Sequence, residues 1–155
     1  MTAAVSGIDI LRQASAGEMP LPPAAALLGW EAIDLRPGYV RVRYRAREEF
    51  YNPSGSVQGG FIAAMLDDAM GPAIFTLLRP DEFAPTLEMK VTFLRPAYAG
   101  ELIAEGRVVR RAKRAVFLEG KLFAPDGDLL ATSTATALIG DGRIPQENPW
   151  TSAAK

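Results

Sequence analysis

The 155-residue sequence contains no cysteine and no histidine. Without cysteine the chain cannot form disulfides, thiolate nucleophiles, zinc fingers or iron–sulfur clusters. Without histidine it cannot use a Ser-His-Asp or Cys-His triad, and it lacks the commonest ligand of zinc enzymes, so no metal site is expected. Any general base must therefore be a carboxylate, a lysine or a tyrosine.

The sequence also lacks a long apolar run that is free of charge. The longest apolar stretch, residues 61–78, contains two aspartates and a proline, which argues against a membrane span. Residues 1–15 show no basic segment followed by an apolar one, so no secretory signal is indicated. These absences predict a cytoplasmic protein with no membrane partner. The net charge of −1 argues neither for nor against an anionic partner.

The apolar pattern that is present predicts strands on both sides of one long helix. Residues 7–16 have weak helical spacing and lead into the proline-rich residues 19–23, which cannot continue a helix. Residues 27–35 are predicted as a short strand. Residues 40–47 are predicted as a clear strand, because apolar residues there alternate with arginines. Four further strands are predicted at residues 86–95, 101–110, 114–123 and 129–139.

Residues 59–78 form the one strong helix candidate, and they are apolar on nearly every side. Such a helix must be buried, although Gly71-Pro72 should weaken or kink it. In the last predicted strand, the small residues Ala131, Ser133, Ala135 and Ala137 share a face that suits close approach of a helix. One buried helix against an antiparallel sheet is a two-layer α+β domain. A curved sheet wrapped around a single central helix is the hotdog fold. One such sheet covers the apolar helix only in part, and pairing of two subunits would bury the rest of it.

The segment that carries chemistry is NPSGSVQGGFIAAMLDD, residues 52–68. Gly59 and Gly60 stand where the helix begins, so their free N–H groups could polarise a carbonyl. Asp67 and Asp68 interrupt the apolar helix, and a carboxylate buried there would be a stronger base than an exposed one. A polarising N–H and a carboxylate together suit attack on an activated carbonyl. For Asp68 a structural role is favoured, since consecutive helical residues point about 100° apart.

The spacing of Gly59 and Asp67 has a geometric consequence. Eight residues on one helix correspond to about 12 Å along its axis. One small carbonyl cannot touch both groups. If both act, the glycine must come from one subunit and the aspartate from another.

This segment resembles hotdog-fold acyl-CoA thioesterases of the phenylacetate-degradation type, which are related to the 4-hydroxybenzoyl-CoA thioesterases. The family pattern is an asparagine, a glycine-containing loop, His-Gly-Gly at a helix start, and an acidic residue eight positions after the first glycine. Asn52, Gln58-Gly59-Gly60 and Asp67 stand at these positions. Gln58 replaces the frequent histidine and cannot titrate, although it can still form hydrogen bonds.

The resemblance implies roles for these residues. The N–H of Gly59 would polarise the thioester, Asp67 would act as base or nucleophile, and Asn52 would orient water or the loop. Residues 86–96 resemble the following strand of the family, in which a Ser or Thr often helps to hold the water, and Thr86 matches that residue. Asn52 could equally be only a turn residue before Pro53.

The resemblance also implies where coenzyme A, as part of the substrate, would lie. Its path would be lined by residues 93–98 and 111–116, which include Arg95, Arg111, Lys113 and Arg114. No separate cofactor is expected. Residues 110–114 form a basic turn that could neutralise the phosphates of coenzyme A. A plain solvated hairpin is nearly as good an interpretation of these residues. The arginines at 41, 43, 45 and 47 are interpreted as a solvated strand face, and no nucleic-acid partner is expected.

The resemblance covers residues 28–140 and suggests three segments. Residues 1–26 are predicted as an N-terminal helix with a proline-rich lead-in, residues 27–140 as the thioesterase domain, and residues 141–155 as a tail. The implied assembly is a homodimer or a dimer of dimers. The implied reaction is hydrolysis of an acyl-CoA with an aromatic, short or medium acyl group. A non-catalytic acyl-CoA-binding regulator is the alternative, and a dehydratase of this fold is disfavoured because those rely on histidine.

Overall fold

The computed structural model describes residues 6–141. Helix α1 spans Gly7–Ser15, α2 spans Pro23–Leu28 and α3 spans Gly59–Phe75, with a short 3₁₀ turn at Glu48–Phe50. The long strands are β1 (Glu31–Arg36), β2 (Tyr39–Ala46), β4 (Thr86–Phe93), β5 (Gly100–Arg111), β6 (Ala115–Phe123) and β7 (Leu129–Leu138). Two short strands, β3 (Glu82–Phe83) and β8 (Gly140–Asp141), pair with each other. None of the helices in this part of the chain is long and apolar enough to span a membrane.

The six long strands form one antiparallel sheet in the order β1-β2-β5-β6-β7-β4. Helix α3 packs across β2, β5, β6, β7 and β4, so the sheet wraps around it. At Gly106 of β5 the helix comes so close that a Cβ would overlap the carbonyl oxygen of Ala69. This is the predicted α+β hotdog arrangement, with one central helix and a curved antiparallel sheet.

The alternation predicted for two of the strands is confirmed. In β2 the apolar side chains are buried, while Arg41 and Arg43 lie on the outer face in ion pairs with glutamates of β1 and β5. In β7 the small residues Ala131, Ser133, Ala135 and Ala137 are all buried. Short side chains there let α3 approach the sheet closely.

The strand predicted at residues 27–35 is partly wrong. Residues 23–28 form α2, and the strand begins only at Glu31. Pro23 suits the first position of a helix, and Gly29 ends α2 in a left-handed conformation with φ of 71°. Leu11 of α1 and Ala25 of α2 both belong to the buried core. The predicted domain limit at residue 26 therefore falls inside α2 and stays a prediction, and the predicted tail lies outside the described residues apart from Asp141.

Strand β4 begins with an irregularity that the alternating pattern does not show. Thr86 pairs with Ala137, but Glu88 pairs with Thr136, so Leu87 is an extra residue in β4. This β-bulge puts Thr86 on the same face as Met89, which faces the helix. Apolar and polar residues alternate from Thr86 to Phe93, and this alternation predicts Thr86 on the opposite face from Met89. That prediction is wrong because of the bulge.

Candidate active site

Helix α3 runs without interruption through both residues that the sequence pairs as a site. Gly59 is its first residue and Asp67 lies in its middle, and the helix continues past Pro72 to Phe75. The segment from Gly59 to Asp67 is therefore helical throughout. The two residues are separated by about 12 Å along the axis. Within one protomer they cannot contact the same carbonyl.

The start of α3 presents a free N–H group beside a cavity. Within residues 6–141, no acceptor is recorded for the N–H of Gly59. A Cβ at this position would come within 3.1 Å of the Phe93 ring, so any larger residue would crowd that ring. A cavity of about 420 Å³ adjoins this position, and its wall includes Asn52, Gly59, Phe93 and Arg95. A carbonyl group in this cavity could reach the N–H of Gly59.

Asp67 is held by the strand beyond the helix. The hydroxyl of Thr86 donates a 2.9 Å hydrogen bond to Oδ1 of Asp67. The sequence predicts a buried carboxylate here, and this is wrong for the single protomer, in which Asp67 is exposed. The physical reason is position, because Asp67 faces β4, and β4 is the last strand of the sheet. The carboxylate is oriented but open to a substrate or a second subunit.

Asn52 organises the loop that leads into α3. Its side-chain oxygen accepts hydrogen bonds from the N–H groups of Ser54 (2.9 Å) and Ser56 (3.4 Å). Its side-chain amide donates to the hydroxyl of Ser56 at 3.3 Å. Asn52 is thus a turn residue, which was one of the two roles that the sequence left open. Its side chain also lines the cavity at Gly59. Gln58 and Gly60 are exposed beside this cavity, and the side chain of Gln58 does not cap the helix.

Asp68 points away from Asp67 and has a different partner. The hydroxyl of Tyr44, a fully buried residue of β2, donates a 2.8 Å hydrogen bond to Oδ2 of Asp68. Burial raises the pKa of Asp68 to about 6, the bond from Tyr44 opposes that rise, and the charge of Asp67 adds to it. This bond agrees with the structural role expected for Asp68, which stays a prediction. A tyrosine among the inward aliphatic residues of β2 is the signal that could have revealed it, since a buried hydroxyl needs a partner.

A second cavity, which the sequence did not indicate, lies on the Asp68 side of α3. It has a volume of about 270 Å³ and is lined by residues of α1, α2, the second half of α3 and the β3 segment. Its walls include Leu11, Ala25, Trp30, Phe75 and Phe83. Asp68 is the one ionisable side chain among the lining residues of the described chain. An apolar group of moderate size fits this space.

The four basic residues predicted to bind substrate occupy different environments. Arg95 lies at the cavity beside Gly59 and forms an ion pair with Asp128 at 2.5 Å. Arg111 donates to both carboxylate oxygens of Glu82 at 2.9 and 2.7 Å, and to the carbonyl oxygen of Leu77. Its charge is therefore already balanced.

Lys113 and Arg114, by contrast, are exposed in the β5–β6 turn, and no ion pair is recorded for either within residues 6–141. A cavity of about 610 Å³ lies between this turn and Arg79. The substrate-binding roles of all four basic residues stay predictions. Lys113 and Arg114 are the two whose charges are available.

Comparison with known proteins agrees with this architecture. Residues 54–131 match the family model of the Thioesterase superfamily. A protein of Saccharolobus solfataricus, named provisionally as an esterase, is 31% identical over 109 residues, which cover 70% of this chain and 77% of that protein.

Two solved structures are similar as well. One is a phenylacetic acid degradation-related protein of Ralstonia eutropha, provisionally described as a thioesterase. It is 36% identical with a TM-score of 0.77, and the match covers 83% of this chain and 98% of that one. The other is a thioesterase family protein of Silicibacter pomeroyi. It is 28% identical with a TM-score of 0.75, covering 84% of this chain and 98% of that one. From its fold, its helix-start site and these matches, the chain belongs to the Thioesterase superfamily of hotdog-fold thioester hydrolases.

Proposed function

We propose that the protein hydrolyses acyl-CoA thioesters to a free acid and coenzyme A. The observation that carries this proposal is the exposed carboxylate of Asp67, oriented by Thr86 on the same helix whose first residue, Gly59, offers a free N–H. The N–H would stabilise the oxyanion that develops on the thioester oxygen. Asp67 would either remove a proton from water or attack the carbonyl carbon directly. In the first route the activated water adds to the carbonyl carbon, the C–S bond breaks, and coenzyme A takes the proton and leaves as its thiol. In the second route the C–S bond breaks as the acyl group forms an anhydride with Asp67, and water then hydrolyses this anhydride to the free acid and the regenerated carboxylate.

The site requires a second subunit, because Gly59 and Asp67 of one chain are too far apart. Strand β4 ends the sheet, so its outer edge has backbone groups that no strand of residues 6–141 pairs with. Leu87, Phe93 and Leu94 at this edge are more than half exposed, at 59%, 54% and 51%. A long free edge with exposed apolar side chains favours pairing with another chain.

Pairing of β4 with the partner's β4 around a twofold axis would set the two α3 helices antiparallel. The Gly59 end of one helix would then lie beside Asp67 of the other. Two equivalent sites would form in each dimer. Lys113 and Arg114 supply two available positive charges for the phosphates of coenzyme A.

The direct test is a thiol-release assay over a panel of acyl-CoAs that includes phenylacetyl, benzoyl and straight chains of graded length. Turnover that disappears in Asp67→Asn supports the proposal. Asp34→Asn, which removes a partly exposed carboxylate paired with Arg36 on β1, is the matched control. Tight binding of acyl-CoA without turnover by the folded wild-type protein would instead favour the non-catalytic regulator.

A further inference from the structure

Arg111, the last residue of β5, joins two points of the connection between α3 and β4. Its guanidinium donates to both carboxylate oxygens of Glu82, at 2.9 and 2.7 Å, and to the carbonyl oxygen of Leu77. The side chain of Glu82 is only 5% exposed, so its charge depends on such partners. Strand β5 lies inside the sheet, between β2 and β6. Arg111 therefore attaches both ends of the turn that follows α3 to an interior strand.

The same carboxylate also closes this turn from within. The N–H of Arg79 donates to Oε2 of Glu82 at 2.8 Å, and the Arg79 guanidinium lies 3.2 Å from Oε1. The N–H of Glu82 in turn donates to the carbonyl oxygen of Arg79 at 3.0 Å. Beyond the turn, β3 pairs with β8 over two residue pairs, and so short a ladder needs further support. The contact of Arg111 with Glu82 supplies that support.

A stiff link of four residues runs from Glu82 to Thr86. Pro85 fixes its own φ and restricts the residue before it to extended conformations. The N–H of Leu138 in β7 donates to the carbonyl oxygen of Pro85 at 3.1 Å. Thr86 then begins β4, and its hydroxyl donates to Asp67 at 2.9 Å. Because the link has little freedom, a displacement of Glu82 would be carried to Thr86.

Resting on the thioesterase function proposed above, we propose that Arg111 is a positioning residue for hydrolysis. Through Glu82 it fixes the segment that places Thr86 against Asp67. Arg111 touches neither the substrate nor the reacting carboxylate in this role. Its loss leaves the reacting groups in place chemically but lets the carboxylate take unproductive orientations.

The resemblance to the family implies a different role for Arg111, which is contact with coenzyme A. A phosphate bound there would have to compete with Glu82 for the guanidinium. Losing that partner would leave a nearly buried carboxylate with less compensation, which is unfavourable. The two roles predict different kinetics, because a ligand of the nucleotide affects KM and a positioning residue affects kcat.

The first test compares two substrates, the best acyl-CoA of the panel and the N-acetylcysteamine thioester of the same acyl group. Arg111→Ala should lower kcat roughly tenfold on both, with KM for the acyl-CoA nearly unchanged. Arg111→Lys keeps the charge but loses the fork that holds Glu82, so it should show most of the same defect. The matched control is Arg107→Ala, which removes an ion pair with Glu119 from the same strand and should leave kcat unchanged.

Two outcomes of that comparison overturn the proposal. One is a defect confined to KM for the full acyl-CoA. The other is complete rescue by Arg111→Lys, because a lysine can replace an arginine as a point charge for a phosphate but not as a bidentate partner of Glu82. Circular dichroism of each variant checks that the fold is retained.

Combined variants test whether Arg111 acts through the residues named. Glu82→Ala should reproduce the kcat of Arg111→Ala, and the double variant should lose nothing further. Arg111→Ala should likewise lower kcat little in a Thr86→Val background, since the hydrogen bond that it supports is already absent. Defects that multiply in either combination would show that Arg111 acts by another route, and they overturn the proposal.

Hydrogen exchange tests the same segment without any substrate. The amides of Arg79 and Leu138 donate to Glu82 and Pro85, so their exchange reports how firmly the segment is held. In Arg111→Ala both should exchange at least about tenfold faster by NMR, and Arg107→Ala should leave them unchanged. Unchanged exchange in Arg111→Ala overturns the proposal. If the wild type hydrolyses no acyl-CoA, the thioesterase proposal fails, and exchange still decides whether Arg111 holds the segment.

Discussion

The hydroxyl of Thr86 contacts Oδ1 of Asp67 at 2.9 Å, and it does so because the bulge at Leu87 turns Thr86 toward the helix. A side chain that holds a reacting carboxylate in one orientation contributes to the rate without touching the substrate. Thr86→Val keeps the shape and removes the hydroxyl, so kcat should fall roughly tenfold. Thr86→Ser should restore most of the rate. A Val variant with wild-type kcat would show that the hydrogen bond does not orient the base.

Asp67→Asn should lower kcat by about 10²–10⁴, the usual effect of losing a general base. The substitution keeps the size of the side chain and its contact with Thr86, so the fold should be unaffected. Asp68→Asn should lower kcat far less than Asp67→Asn does. The measurement is steady-state thiol release with circular dichroism as a folding check, and the opposite ranking would identify Asp68 as the base.

Complementation between subunits tests the shared site. Gly59→Pro removes the N–H at the first helical position, where proline is tolerated, and Asp67→Asn removes the base. Each should be nearly inactive alone. In hybrid dimers one of the two sites has both groups intact, so activity should return to at most about half of wild type per dimer.

The control for that experiment is Gly59→Ala, which adds a Cβ against the Phe93 ring but keeps the N–H. This variant distinguishes the effect of crowding the Phe93 ring from the effect of losing the N–H donor. Differently tagged chains verify that hybrids have formed. Verified hybrids of folded chains that stay inactive would rule out a site shared in this way.

The basic turn gives a prediction about substrate affinity. Lys113→Ala with Arg114→Ala should raise KM for acyl-CoA by roughly three- to tenfold and change kcat little, as expected for lost uniform binding. The defect should shrink with a truncated thioester that lacks the nucleotide. The matched control is Lys121→Ala, which removes a positive charge from strand β6 and leaves the turn unchanged. Equal defects on full and truncated substrates would show that the turn does not contact the nucleotide.

Asp68 also makes stability depend on pH in a defined direction. Its folded-state pKa of about 6 lies above the ordinary value of 3.8, so the folded state favours the protonated form. The stabilisation of the folded state that comes from this preference is fully present below about pH 4 and is lost as pH rises through about 6. The free energy of unfolding of Asp68→Asn, relative to wild type, should therefore rise by on the order of 2–3 kcal/mol between pH 4 and pH 8. Urea unfolding of both proteins at the two pH values measures this, and a difference that does not change with pH contradicts it.

The local pattern of the sequence determined much of the fold. Period-two alternation defined β2, and the small residues of β7 marked the sheet face that α3 approaches. The apolar helix was predicted at residues 59–78, and the structure ends it at Phe75. Its start at Gly59 and the spacing of Gly59 and Asp67 within it followed from the sequence. These features could be predicted because helix and strand periods are properties of neighbouring residues.

The tertiary structure decided which faces and partners the site has. Pairing with β7 creates the bulge that brings Thr86 to Asp67, and the sheet order leaves Asp67 exposed at the β4 edge. The bond between Tyr44 and Asp68 joins residues 24 positions apart, and the cavity at Asp68 is lined in part by α1, α2 and the β3 segment. Such contacts depend on the packing of elements that are distant in the chain, and no local period encodes them.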